Sequence, residues 1–246
     1  MPTNGNPSLS DHLLKKPLYV QLRNMLAERI SAGAWKPGAV IPNESDLARK
    51  FGVSAGTMRK ALDLMEAERL LSRRQGRGTF VNDQTSDELS LRFSSLRCAN
   101  SQHLDGQSKT THVGEDAPSD GERRRLQLGP QDRIYHIHRT WFHKDQPFMV
   151  EHATVPAALF PGLGQKAQVA SRIIVLAQRY GLLLGKAEER VSIGPAVEAV
   201  AGALNVGLGT PVMVLDRVVQ DLDGRPVEWR LGWCHVADKY YLAEMT

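Results

Sequence analysis

The chain of 246 residues has only two cysteines, Cys98 and Cys234. That is too few for a disulfide framework or a four-ligand zinc site, and a Cys98–Cys234 redox pair has no support. Long apolar runs are missing too. Ile173-Ile174-Val175-Leu176-Ala177 is far shorter than the roughly 20 residues that span a bilayer. The start, Met1 to Asp11, is polar and lacks the apolar core of a secretory signal. A cytoplasmic protein with no membrane partner is therefore expected. There is no low-complexity tract and no coiled-coil heptad. Neither a Gly-x-Ser-x-Gly elbow, a P-loop nor a dinucleotide fingerprint occurs, and Gly162-Leu163-Gly164 lacks a phosphate-binding context, so catalytic residues and cofactors are expected to be none. His136 and His138 are spaced to share a strand face, but no third ligand accompanies them. Ordinary strand histidines are the simpler reading, and no metal is expected.

What is present is an uneven distribution of charge. The chain is 41% hydrophobic and 24% charged, with a net charge of +4, and its length suits one large domain or two ordinary ones. Residues 1–82 carry 13 Lys and Arg against 7 Asp and Glu, whereas the rest carry 18 against 20. A basic first third joined to a near-neutral body suggests a nucleic-acid module on a sensor or enzymatic domain.

Periodicity resolves the first third into short helices. Leu18, Leu22, Met25, Leu26 and Ile30 form one stripe after Pro17, and Trp35-Lys36-Pro37-Gly38 reads as a turn. Asn43 is placed to cap a second helix with Glu44 and Asp46 in its first turn, Leu47, Ala48 and Phe51 inside and Gly52 at its end. Ser54 is placed to cap a third, with Met58, Ala61, Leu62 and Met65 buried. Two short helices separated by Gly-Val-Ser make a helix-turn-helix. The second offers Ala55, Gly56, Thr57, Arg59 and Lys60 to a major groove. The segment Ser72 to Val81 then reads as a β-hairpin wing around an arginine- and glycine-rich turn.

The pattern from Pro17-Leu18-Tyr19 through Trp35, Pro37-Gly38, Ile41-Pro42, Glu44, Leu47-Ala48, Phe51-Gly52-Val53-Ser54, Thr57, Arg59 and Ala61-Leu62 resembles the DNA-binding domain of the GntR family of bacterial regulators. Arg73-Arg74-Gln75-Gly76-Arg77-Gly78-Thr79-Phe80-Val81 resembles that family's wing. The resemblance implies DNA contacts from Ser45, Ser54, Thr57, Arg59, Gln75, Gly76 and Arg77. Ala55 stands where the family usually has an arginine. A bidentate guanine contact is thereby lost, and a departure from the usual operator half-site is implied.

Residues 83–90 are polar and read as a linker. Beyond them, Ser108 to Val113 reads as a strand and Gly114 to Gly121 as a loop. Ile134 to Phe142 alternates with Tyr135, Ile137, Arg139 and Trp141 on one face, and Phe148 to Val155 returns beside it. Ser171 to Tyr180 reads as a helix, Glu188 to Ile193 as a strand, and Pro195 to Leu204 as a helix opened by its proline. Val212 to Gln220 and Val227 to Val236 form a hairpin around Asp223-Gly224. The fold class is α+β, with an antiparallel sheet. The block Arg123-Arg124-Arg125 reads as a charged helix face.

This order is similar to the UTRA effector-binding domain of the HutC-type branch of the GntR family, a chorismate-lyase-like fold. The matching residues include Arg139, Pro147, Glu151, Phe160-Pro161, Ser171, Tyr180-Gly181, Gly209-Thr210-Pro211-Val212, Asp223-Gly224, Val227-Glu228 and Asp238-Lys239-Tyr240. The implied division is a winged helix-turn-helix at 1–82, a linker at 83–90, and an effector-binding and dimerisation domain at 91–246. In this branch Arg139, Glu151, Ser171 and Glu228 would help hold the ligand. A permanent Arg139–Glu151 bridge across the hairpin is the alternative. Trp141 stands where phosphosugar-binding members often carry a second arginine. An apparent extra residue among Trp233, Cys234 and His235 implies a bulge that puts His235 or Cys234 where tyrosine is common. Trp141 and His235 therefore join the effector-binding set, which favours an aromatic or heterocyclic carboxylate.

The expectation is a homodimeric repressor that binds double-stranded, palindromic operator DNA and is released by a small-molecule effector, such as an organic acid. Two alternatives stay open: a lyase-like enzyme acting on a small cyclic acid, and a DNA-binding protein with no effector.

Overall fold

A computed structural model describes residues 16–84, 86, 89, 91–100, 102–104, 106–166, 169–236 and 238–243. The polar start and Thr85, Asp87, Glu88 and Ser90 of the expected linker lie outside the described residues. Residue contacts separate the chain into two units, 1–84 and 85–246.

The first unit holds α1 (Leu18–Ser31), α2 (Glu44–Phe51), α3 (Ala55–Ala67), β1 (Leu71–Arg74) and β2 (Gly78–Val81). The expected caps are present. Asn43 accepts from the Asp46 N–H and Ser54 from the Thr57 N–H, while Gly52 ends α2 at φ 65°, a left-handed conformation suited to glycine. Leu47 and Ala48 of α2 and Met58, Ala61, Leu62 and Met65 of α3 are buried. The stripe on α1 is different from the one expected: Leu18 and Met25 are exposed, and the buried face is Leu22, Arg23, Leu26 and Ala27. Arg23 enters that face because Glu68 meets its guanidinium at 3.3 Å, and a buried charge requires such a partner. Residues 38–41 run beside β2, with Val40 bridged to Phe80 and Ile41 N–H donating to Thr79 O at 2.9 Å. This unit also extends past the expected boundary, since the Asn82 and Gln84 side-chain amides both donate to the Arg69 carbonyl.

The second unit is built on one antiparallel sheet of β4 (Gln107–Asp116), β5 (Ile134–His143), β6 (Gln146–Pro156), β7 (Leu184–Pro195), β8 (Pro211–Asp221) and β9 (Pro226–Cys234), with spatial order β4-β5-β6-β9-β8-β7. A separate ribbon pairs β3 (Leu96–Cys98) with β10 (Lys239–Tyr241). One face of the sheet carries Tyr135, Ile137, Ala153, Val155, Val219 and Val227, covered by Ile173, Ile174, Leu176 and Ala177 of α5 (Ile173–Arg179). Against the other face pack α4 (Asp120–Leu126) and α6 (Glu198–Leu204).

Three expectations are corrected here. The tract Gly114 to Gly121 is not a loop: β4 runs to Asp116, and Ser119 and Glu122 form a capping box that starts α4. Pro195 does not open a helix but closes β7, its register partner being Pro211; α6 starts at Glu198. No bulge interrupts Trp233 and Cys234, which pair in unbroken register with Val150 and Met149 of β6. The irregularity in the β8–β9 pair lies at the other end of β9, where Val219 and Gln220 face Glu228 and Pro226 and Val227 is the extra residue.

Candidate nucleic-acid interface and ligand cavity

In the first unit Ser45, Ser54, Arg59, Gln75, Gly76 and Arg77 are all exposed, and Thr57 is half-buried. Helices α2 and α3 and the wing bring them into one small unit, but their present duties differ. The Ser54 and Thr57 hydroxyls lie 2.8 Å apart within the cap of α3. Arg59 donates two hydrogen bonds to Glu44 of α2, at 3.1 and 2.8 Å. Glu44 thus holds the guanidinium beside the helix-turn-helix and raises its pKa, chiefly through that hydrogen bond.

The wing arginines also divide by role, which their sequence order does not reveal. Arg73 is tied to Asp63 at 2.6 Å and Glu66 at 2.8 Å, fixing β1 to α3. Arg74 lies over the Phe80 ring at 4.6 Å. Arg77 stands at the tip, its N–H closing the turn onto Arg74 O at 2.9 Å, with Gly76 at φ 68° and Gly78 at φ 108°. These glycines let the tip turn tightly with backbone exposed for close approach to a groove.

In the second unit a cavity of about 60 Å³ lies on the α5 side of the sheet. Trp141, Phe148, Met149 and Leu215 supply apolar wall, and Glu151, Ser171 and Glu228 also line it. Arg139 stands just behind, 2% exposed, donating to Glu151 at 2.8 Å and to the Ala170 carbonyl at 2.9 Å. The Arg139–Glu151 bridge across the hairpin is thus present. His235 is not among the lining residues; it follows the end of β9, its N–H donating to the Phe148 carbonyl at 2.9 Å. Cys234 before it is buried in the core with Trp141 and Met149 and does not line the cavity either; burial pushes its thiol up to about 12.

Sequence reasoning missed Arg217, Arg230 and Glu189, all of which line the cavity. The strand order makes Arg230 of β9 and Arg217 of β8 direct neighbours, with Glu189 of β7 opposite Arg217. Arg230 donates to Glu151 at 3.3 Å and Glu189 at 2.9 Å; Arg217 donates to Glu228 at 3.1 Å and the Phe93 carbonyl at 2.6 Å. Trp141 Nε1–H donates to Glu151 at 3.3 Å, and the Tyr241 hydroxyl to Glu189 at 2.9 Å. Burial pushes the Glu151 carboxyl up, but Arg230 and Arg139 outweigh it and hold the group below its ordinary value. Burial and the adjacent Arg230 lower Arg217. Arg230 is raised: desolvation opposes its charge, but Glu151, Glu189 and Glu228 prevail. The one sequence signal was the alternation of charge in β9, where Glu228 and Arg230 both fall on the buried face.

The opposite face carries imidazoles in a row across three strands: His112, His138 and His152, with centroids 5.1 and 4.0 Å apart, followed by Trp233 edge-on to His152 at 5.1 Å. His136 meets Glu122 at 2.6 Å. Among the described residues, no group of three or more His, Cys, Asp or Glu is arranged to hold a metal ion. Of the arginine block on α4, Arg123 binds the Gly129 carbonyl and Arg125 pairs with Asp216.

Two family profiles match the chain: "Bacterial regulatory proteins, gntR family" over residues 18–81 and the UTRA domain over residues 101–240. The mannosyl-D-glycerate transport/metabolism system repressor MngR of Escherichia coli (strain K12) is 30% identical over 87% of this chain and 90% of its own length. The HTH-type transcriptional repressor NagR of Bacillus subtilis (strain 168) is 26% identical over 86% of this chain and 88% of its own. The crystal structure of PhnF from Mycobacterium smegmatis is similar in fold, with a TM-score of 0.55 at 18% identity, covering 94% of this chain and 99% of that one.

Proposed function

We propose, from the premise that the chain belongs to the GntR family of bacterial regulatory proteins and carries a UTRA domain, that it is a cytoplasmic homodimeric repressor released from a palindromic operator by a small organic acid. The chain is a DNA-binding transcriptional regulator and not an enzyme, as its relatives are; the lyase-like alternative is set aside. The observation that carries the reading is the pairing, in one chain, of an exposed basic helix-turn-helix and wing with a cavity floored by buried ionised side chains. Ser45, Ser54, Thr57, Arg59, Gln75, Gly76 and Arg77 supply the DNA contacts. Arg59 must exchange Glu44 for DNA, and Arg77 offers its charge to phosphate or a narrow minor groove.

Dimerisation is supported by the free edge of the sheet. Among the described residues no strand pairs with β7 on its outer side, and Val191 and Ile193 on that strand, with Val197 nearby, are exposed apolar side chains. A long edge with apolar side chains is a template for pairing, and a second copy covers it. Two winged helices related by a two-fold axis then read inverted half-sites about one helical turn apart. The effector acts through its differential affinity for two dimer geometries, only one of which matches that spacing.

The test is fluorescence-anisotropy binding to DNA from around the protein's own gene, at two salt concentrations and with a metabolite panel. Tight, salt-sensitive, sequence-selective binding released by one metabolite supports the reading. Equal affinity for random DNA would remove its basis.

A further inference from the structure

On the sheet face opposite the cavity, strand register sets side chains in two adjacent ranks. His138, His152 and Leu231 stand side by side on β5, β6 and β9, and His136, Thr154 and Trp229 form the next rank. These six side chains line a groove of about 430 Å³, to which α4 adds Glu122. That volume is far larger than a single ion and falls among small-molecule sites, roughly 300–1,000 Å³.

Among the described residues no lysine or arginine lines the groove, and Glu122 is its one carboxylate. Oε2 of Glu122 serves the cap of α4, accepting from the Ser119 N–H at 2.8 Å and hydroxyl at 2.7 Å. Oε1 turns to the groove residues, 2.6 Å from His136 Nε2 and 3.3 Å from the Thr154 hydroxyl. The side chain is 12% exposed, and its ion-pair partner is His136, whose charge is not permanent. The carboxylates of the other face differ, since Glu151, Glu189 and Glu228 each meet an arginine. Burial pushes the Glu122 carboxyl up, but hydrogen bonds from Ser119 and His136 hold it below its ordinary value. A sequestered carboxylate without a fixed counter-charge favours an incoming cation. The imidazoles add acceptors rather than charge: burial lowers both His138 and His152, and a neutral ring offers one nitrogen as acceptor. Arg125, over the Trp229 ring at 5.7 Å, is already paired with Asp216.

We propose that this groove is a second ligand site, which takes a small organic ammonium. The ammonium has three N–H donors, which meet Glu122 Oε1, the Thr154 hydroxyl oxygen and an imidazole of the His138–His152 stack. Half-buried Trp229 and Leu231 receive its apolar body. A bare metal ion fits less well, because among the described residues no three ligands are arranged for one. The groove and the cavity lie on opposite faces of one sheet, so this site stands without the effector assignment.

The experiment is calorimetric titration of the full chain with benzylammonium, benzyl alcohol and nickel chloride, at about pH 8, above the ordinary imidazole range. Benzylammonium binds at least about tenfold tighter than benzyl alcohol, the difference expected of a charge-assisted hydrogen bond. Glu122→Gln abolishes that preference. Glutamine serves a capping box as glutamate does, so α4 keeps its start and the variant folds. Benzyl alcohol binding as tightly as benzylammonium overturns the assignment to a cation. Nickel binding without benzylammonium binding overturns the organic ligand in favour of a metal. An ammonium preference that survives in Glu122→Gln places the amine elsewhere and overturns the site, and so does the absence of any benzylammonium binding.

Discussion

His138 is the histidine of the imidazole row whose charged form is most strongly disfavoured. Burial, then the neighbouring His152, His112 and His136, push it down from 6.5 to about 4. Between those values the unfolded chain holds a proton that the folded chain refuses, so stability rises with pH across this window and is lost on acidification. His138→Asn is therefore expected to flatten the fall in melting temperature as pH drops from 6.5 toward 4; an unchanged slope would place the acid sensitivity elsewhere. At the wing tip, Arg77 is exposed, and it is one of the proposed DNA contacts. Arg77→Ala should weaken binding almost uniformly across sequences and reduce the log–log salt slope by about 1. Anisotropy titrations at several salt concentrations read both, and an unaltered slope argues against a phosphate contact.

Elements carry their own predictions. Ser54 opens α3, and Ser54→Ala should cost roughly 1 kcal/mol of stability through the lost cap, measurable by urea unfolding. Glu151 joins β5, β6 and β9 by accepting from Arg139, Trp141 and Arg230. Removing it leaves buried Arg139 with no carboxylate partner and Arg230 with Glu189 alone, so Glu151→Ala should destabilise the second unit by about 3–5 kcal/mol; a loss below 1 kcal/mol would mean that solvent reaches the cluster. What was legible at this scale follows from locality. Asn43, Gly52 and Ser54 announce α2 and α3 because a cap and its helix are adjacent in sequence. The β5–β6 hairpin was legible for the same reason, including the Arg139–Glu151 pair. The neighbours Arg230, Arg217 and Glu189 were not, because they meet only through the order β6-β9-β8-β7, which no local pattern encodes. His235 was misjudged because a bulge was inferred where β9 keeps its register, and a shift of one residue reverses which side chains face the core. On α1, buried Arg23 was missed because its partner Glu68 lies beyond α3.

The whole molecule joins two units whose tasks are separate, and the reading depends on two copies acting together. The open edge of β7 is the proposed meeting surface, and Ile193, 79% exposed, is its most prominent apolar side chain. Ile193→Lys should shift the chain toward monomer in sedimentation velocity and weaken operator binding, while each winged helix remains folded. A variant that stays dimeric would move the interface elsewhere. The central claim, that the chain is a two-fold symmetric reader of DNA, is tested most directly by selecting bound sequences from a random double-stranded library with the full-length protein. The account predicts an enriched inverted repeat with half-sites about one helical turn apart. Enrichment of a single unrepeated half-site, or of no sequence at all, would contradict it.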